Sequence, residues 1–307
     1  MVTRATAAAV LLILALTGCS ALGGADRTGI VVTTNILGDV TRAIAGDETT
    51  VTVLMKPGAD PHSFGVSAQD AARMENAALL VHNGLGLEEG VARNVETARS
   101  SGVPTLDVGA GIGPLAYKSG ENAQRPDPHF WTDPARMLKA VDLITSRIIK
   151  HLPGADAAKI RANAAAYRAH LLDLDRWMTA RFAALPADRR NLVTNHHVFG
   201  YLAERFGFTV IGAVIPSGTT LASPSGADLK SLADAVRRAG VPTVFADSSQ
   251  PDRLARVMAA ETGLRIKVTP LYSESLTAAD GGAPTYLRMM RANTDAIVAG
   301  LTQERDR

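Results

Sequence analysis

Between Leu152-Pro153-Gly154 and Pro186 the chain carries one unbroken helical stripe: Ile160, Ala164, Tyr167, Leu171, Leu174, Met178, Phe182 and Leu185 recur at steps of four and three. Proline closes it on both sides, because proline lacks the N–H that a helix interior needs. At 1.5 Å per residue a helix of about 30 residues is about 45 Å long, enough to run along two lobes as a stiff backbone. Such a helix should bend less than a hinge of paired extended strands. On either side of it, short β-branched runs alternate with amphipathic stretches. Strands are expected at residues 30–34, 51–55, 78–82 and 104–108 before the stripe, and at 191–194, 209–214, 243–246 and 266–269 after it. Helices are expected at 36–45, 68–76 and 87–99, and Ser67/Asp70, Ser225/Asp228 and Ser249/Asp252 have the spacing of helix-start caps. Aromatics make up only 5% of the chain, so aliphatic helix-on-sheet packing is favoured over an aromatic-rich sandwich. The expected fold is therefore α/β, with two lobes, each a small mostly parallel four-stranded sheet flanked by helices, joined by one long linker helix. The divisions expected are 28–152, 153–186 and 187–307.

Charge and cysteine content narrow the function. Lys plus Arg total 32 and Asp plus Glu 30, for a net charge of +2 without runs of like charge, which removes the electrostatic basis for nucleic-acid binding. A single cysteine cannot build an intramolecular disulfide, a cysteine zinc knuckle or an iron–sulfur cluster. Arg4 precedes an uncharged apolar run, residues 5–16, which is shorter than the ~20 residues a spanning helix takes. A basic start, a short apolar core and small residues after it describe an export signal, residues 1–18, followed by a tether, 19–27. Leu16-Thr17-Gly18-Cys19 resembles the lipobox of bacterial lipoproteins. That resemblance implies a mature chain beginning at a lipidated Cys19, exported and tethered to the membrane facing outside the cytoplasm.

Three of the seven histidines sit in loops where side chains can converge on a cleft. His62 lies in Pro57-Gly58-Ala59-Asp60-Pro61-His62-Ser63-Phe64, a segment too rich in proline and glycine to be helical. His129 lies in Asp127-Pro128-His129-Phe130-Trp131-Thr132-Asp133-Pro134, with Pro134 suited to the first turn of a helix. His196 follows the strand 191–194 and opens the helix carrying Phe199, Tyr201 and Leu202. Singly, each suits a structural role; together, drawn from both lobes, they point to a metal.

These stretches, with Asn83-Gly84-Leu85-Gly86-Leu87-Glu88, Thr194-Asn195-His196-His197-Val198-Phe199-Gly200-Tyr201, Phe245-Ala246-Asp247-Ser248-Ser249 and Leu271-Tyr272-Ser273-Glu274-Ser275-Leu276, resemble in order the metal-binding lipoproteins of bacterial ABC importers for zinc and manganese. The resemblance spans nearly the whole mature chain. It implies metal ligands at His62, His129, His196 and Glu274, although members more often carry Asp at the last position. It also implies one ion per chain as transported ligand, a membrane permease with a cytoplasmic ATPase as partners, and a monomer. Three imidazoles and one carboxylate suit Zn²⁺ first and Mn²⁺ next, and disfavour Ca²⁺ and Mg²⁺. Two departures bear on the metal: residues 116–127 contain no histidine where many zinc-specific relatives carry a His-rich loop, and the third histidine is not a carboxylate as in dedicated manganese relatives.

Neighbouring residues receive other roles. His197 is expected beside the site or exposed, since consecutive helix residues point about 100° apart. Asp247, Trp131 and Asn83 are expected to wall the cleft or support ligands, with core packing an alternative for Trp131 and a plain turn for Asn83. His82 reads as structural, and His151 and His170 as surface residues. Because neutral imidazoles bind metal, affinity is expected to fall below about pH 6. A hydrolase is disfavoured: His196-His197-Val198-Phe199-Gly200 lacks the glutamate of His-Glu-x-x-His, and no Gly-x-Ser-x-Gly or phosphate loop appears. A surface adhesin on the same scaffold is the remaining alternative.

Overall fold

The computed structural model describes residues 27–118 and 122–302. The export signal and Cys19 expected from the sequence lie outside the described residues. Two four-stranded sheets are present, and every strand pair in both is parallel. The first has the order β2-β1-β3-β4, from β1 (Ile30–Val32), β2 (Val51–Val53), β3 (Leu79–His82) and β4 (Thr105–Asp107). The second repeats it as β6-β5-β7-β8, from β5 (Asn191–Thr194), β6 (Thr209–Ala213), β7 (Thr243–Asp247) and β8 (Lys267–Leu271). Helices α1 (Asn35–Ala45), α2 (Ala68–Glu75), α3 (Ala92–Ser100), α4 (Val108–Gly111) and α5 (Pro134–His151) accompany the first sheet. Between the sheets runs α6 (Ala157–Ala183), and α7 (Gly200–Phe206), α8 (Gly226–Ala239), α9 (Arg253–Glu261) and α10 (Tyr286–Thr302) accompany the second.

Side chains alternate across each strand, and the core is divided accordingly. Ile30, Val32, Leu79 and Val81 join one large cluster, which Leu192 and Phe245 of the second sheet also enter. Val31 and Leu80 face the other way into a small cluster under α2 and α3, as Val193, Val244 and Ala246 do under α8 and α9. Helix α6 binds the halves together. Its stripe from Ile160 to Phe182 is buried, packed on α1 and α5 at one end and on α7 and α10 at the other, and all of it lies in the large cluster. The two sheets therefore share one apolar core, which resists their separation.

Local signals explain most element ends. Ser67 and Ser225 each accept from the backbone N–H three residues on, with Asp70 and Asp228 reaching back, completing two capping boxes. Ser249 does not cap α9, which starts at Arg253 with Asp252 before it and without a side-chain cap. The helix expected from residue 87 begins at Ala92, after turns at 85–86 and 89–91. Strand β8 runs through Pro270 to Leu271, beyond the expected 266–269; β8 is the sheet's edge, where a missing N–H is tolerated.

Candidate metal centre

In a doubly wound sheet, ligands bind beyond the carboxyl ends of the strands, where successive crossovers leave in opposite directions. In the second sheet that point lies between β5 and β7, and His196 stands two residues beyond β5 while Asp247 ends β7. In the first sheet it lies between β1 and β3 and is filled by Glu88, whose carboxylate accepts from Thr33 Oγ1 (2.6 Å) and from the N–H groups of Asn83 (2.6 Å) and Gly84 (3.0 Å). The loops at the carboxyl ends of both sheets face one another.

Four of the side chains singled out by sequence meet there: His62 from the loop after β2, His129 from the turn before α5, His196 after β5 and Glu274 after β8. One donor atom from each lies within 4.8 Å of all the others. All four residues are 1% exposed or less. The three imidazole centroids form a near-equilateral triangle with sides of 5.3, 5.4 and 5.6 Å. Individual donor separations are 3.1 Å (His196 Nε2 to Glu274 Oε1), 3.5 Å (His129 Nε2 to His62 Nε2), 3.6 Å (His129 Nε2 to Glu274 Oε1) and 3.9 Å (His62 Nε2 to Glu274 Oε2). Donors about 2.1 Å from a tetrahedral ion stand about 3.4 Å apart, within the range observed.

The polar inventory also fits a cation. Both oxygens of Glu274, both ring nitrogens of His196 and Nδ1 of His62 are buried without a hydrogen-bond partner. Buried polar atoms are seldom left so. Burial pushes His62 down to about 2, with the neighbouring His129 and His196 adding to it, and lowers His129 and His196 as well. Burial raises Glu274 well above the usual carboxylate range, reinforced by Asp247, Asp60 and Asp127. The imidazoles are thus held neutral and ready to coordinate, while the carboxyl retains its proton.

Two carboxylates missed by sequence reasoning hold the histidines in place. Asp60 and Asp127 each stand two residues before a histidine, and Oδ1 of each accepts from that histidine's backbone N–H at 2.9 Å. Asp127 Oδ1 also lies 2.7 Å from His129 Nδ1, leaving Nε2 to point at the other donors. Burial raises Asp127 to about 7. A side chain at position 200 would meet Asp127 Oδ2 at 2.6 Å, so Gly200 is what lets α7 approach that carboxylate. The signal was available: Asp-Pro-His occurs twice, and Asp bonding to the backbone two residues on is a recurrent turn. Replacement of Asp127 by Asn should weaken metal binding about 10- to 100-fold without unfolding the protein. Isothermal titration with Zn²⁺ measures this.

The remaining candidates surround the four. Asp247 is buried but outside the converging group, its Oδ1 accepting from Ser249 N–H at 2.7 Å. Trp131 both stacks edge-on against His129, with centroids 5.2 Å apart, and lies in the large core, its Nε1 donating to Ser273 O at 2.8 Å. Asn83 Nδ2 donates to Pro128 O at 3.0 Å and so ties the end of β3 to the His129 loop. The helical argument for His197 is corrected, because residues 196–199 precede α7, which starts at Gly200. Residues 195–197 are bends, and the helix does not start until Gly200. His197 is half-buried, its N–H donating to Ser217 O, on the wall of a cavity of about 290 Å³ beside Tyr117, Asp127 and Phe199. His82 ends β3 and is buried, His151 ends α5 partly exposed, and His170 is exposed on α6.

Comparison with known proteins agrees on family and differs on metal. The profile of the family described as ZnuA, "Zinc-uptake complex component A periplasmic", matches residues 30–300. "Iron-binding protein YfeA" of Yersinia pestis is 30% identical over 279 residues, covering 91% of this chain and 88% of that protein. "Manganese-binding lipoprotein MntA" of Halalkalibacterium halodurans is 29% identical over 306 residues, covering 96% and 97%. The solved periplasmic zinc binding protein TroA from Treponema pallidum superposes with a TM-score of 0.83 at 29% identity, covering 90% of this chain and all (100%) of that one.

Proposed function

The chain belongs to the periplasmic zinc-uptake component A family, and from that premise we propose that it captures one divalent transition metal ion between its two lobes and delivers it to a membrane permease driven by a cytoplasmic ATPase. It is a substrate-binding transport component, not an enzyme. The observation that carries the reading is the convergence of three neutral imidazoles and one carboxylate, contributed by both halves of the chain, at separations that fit a bound ion. We take His62, His129, His196 and Glu274 as the ligands, with residues 28–152 and 187–307 as the lobes that hold them. Anchoring through Cys19, on the outer side of the membrane, is supported by the lipobox-like Leu16-Thr17-Gly18-Cys19 and by relatives named as lipoproteins. A monomer suffices, because one chain supplies all four donors.

Zn²⁺ is the favoured cargo and Mn²⁺ the second. A nitrogen-rich site binds zinc more tightly than manganese by the usual order of divalent affinities. Both oxygens of Glu274 face imidazoles, so a fifth donor is within reach for an ion that takes more than four. Competition calorimetry on metal-stripped protein, with elemental analysis of the protein as purified, tests the choice. Zinc should bind at one ion per chain and displace manganese; equal or tighter manganese binding would reverse the assignment.

The electrostatics revise the expected pH dependence. Since burial holds the imidazoles below their ordinary value of 6.5, acid does not reach them first. The raised Glu274 carboxyl carries the proton the metal must displace, joined below about pH 7 by the Asp127–His129 pair. Binding at pH 6 should therefore release about one to two protons per ion, and affinity should fall about 10- to 100-fold per pH unit. Calorimetry in buffers of different ionisation enthalpy counts these protons. Release of none, or of three or more, would contradict the assignment of protonation states.

A further inference from the structure

The loop that carries His62 is fastened across the cleft as well as to its own lobe. Asp60, 6% exposed, gives one oxygen to the His62 backbone N–H (2.9 Å). Its other oxygen accepts from Ser63 Oγ (3.2 Å) beside it, and from Thr220 Oγ1 (2.5 Å) and Gln250 Nε2 (2.8 Å), which belong to loops after β6 and β7 of the other sheet. The same loop makes a further crossing through Gly58 N–H to Leu276 O (2.9 Å), two residues beyond Glu274. Thr220 and Gln250 are half-buried at the cleft margin and do not belong to the converging donors.

Resting on the reading of the cleft as a metal site, we infer that Asp60 is a closing latch: one oxygen orients His62, and the other seats on Thr220 and Gln250 of the opposite lobe, so that the ion is retained for as long as those cross-lobe bonds hold. Three hydrogen bonds converge on this one oxygen, and two of them come from the opposite lobe. Both run from the first lobe's loop to loops of the second. An incoming ion meets the site before the latch is made, whereas a departing ion must wait for it to break. The latch therefore acts on release more than on capture.

Zinc release from the full chain into excess chromophoric chelator, followed by stopped flow, tests this, with Zn²⁺ alone as probe. A Thr220→Val/Gln250→Leu double variant should release zinc at least about tenfold faster, with its capture rate within about twofold of the parent and the unfolding midpoint of the zinc-free chain little changed. Thr220→Ser, which keeps the hydroxyl, should release like the parent. Gln250→Glu, which sets a second carboxylate against Asp60, should release faster than Gln250→Leu. Release from the double variant within twofold of the parent, or slowed capture with release unchanged, would overturn the latch while leaving the metal site standing. Failure of the parent chain to take up zinc would overturn the metal reading and the latch with it.

Discussion

Replacement of His129 by Ala should lower zinc affinity by about a thousandfold or more while leaving the chain folded. His129 is the residue on which the site turns. Its Nε2 lies 3.5 Å from His62 and 3.6 Å from Glu274, its Nδ1 is held by Asp127, and its ring sits edge-on to Trp131. Loss of an outer partner at a metal site costs about 10- to 100-fold in affinity, and loss of a direct donor removes more than that. The fold should tolerate the change. The imidazole adds a polar group to a site where several buried polar atoms already lack partners, and among the described residues its side chain caps no helix. Exposed His170 on α6 supplies the control, and His170→Ala should alter neither affinity nor stability. Equal affinity in His129→Ala and the parent, or lost affinity in His170→Ala, would show the ligand set to be wrong.

Replacement of Glu274 by Gln should make the metal-free protein more heat-stable while abolishing tight metal binding. Burial and the charges of Asp247, Asp60 and Asp127 raise the Glu274 carboxyl above its unfolded value, and neither oxygen has a hydrogen-bond partner. A group whose folded pKa is raised contributes stability at low pH that is lost as pH rises through the folded value. At neutral pH the parent therefore bears the cost of a buried, unpaired acid, which the neutral amide removes. Relief of about 1–3 kcal/mol corresponds to a rise of about 2–10 °C in Tm for a chain of this size, and the advantage should shrink toward pH 4.5, the carboxyl's ordinary value. The parent should gain stability when zinc is added, since the ion binds only the folded state; the variant should not. Calorimetric melts with and without zinc at two pH values measure both halves. A metal-free variant less stable than the parent would mean that Glu274 has a structural role instead.

Much of this was legible in the sequence because period and loop position carry it. The stripe from Ile160 to Phe182 is buried as one face of α6, and eight short aliphatic runs are the eight strands of two parallel sheets. The histidines drew notice as loop residues at strand ends, which is where a doubly wound sheet gathers its ligands. What escaped was set by contacts between residues far apart in the chain. Nothing local says that Asp60 reaches Thr220 and Gln250, some 160 and 190 positions away. Ser249 also has the spacing of a cap, but its N–H bonds to Asp247 two residues back and the helix starts only at Arg253, a competition between two local patterns that spacing alone does not decide. The ordinary imidazole pKa carries no sign of the burial that only the assembled fold imposes, and that burial lowers His62, His129 and His196.

Anomalous diffraction at the zinc edge from crystals of zinc-loaded protein tests the central claim most directly. The account predicts one strong peak per chain, about 2.0–2.2 Å from Nε2 of His62, His129 and His196 and from a Glu274 oxygen. A peak anywhere else, or no peak in protein shown by elemental analysis to carry zinc, would contradict it.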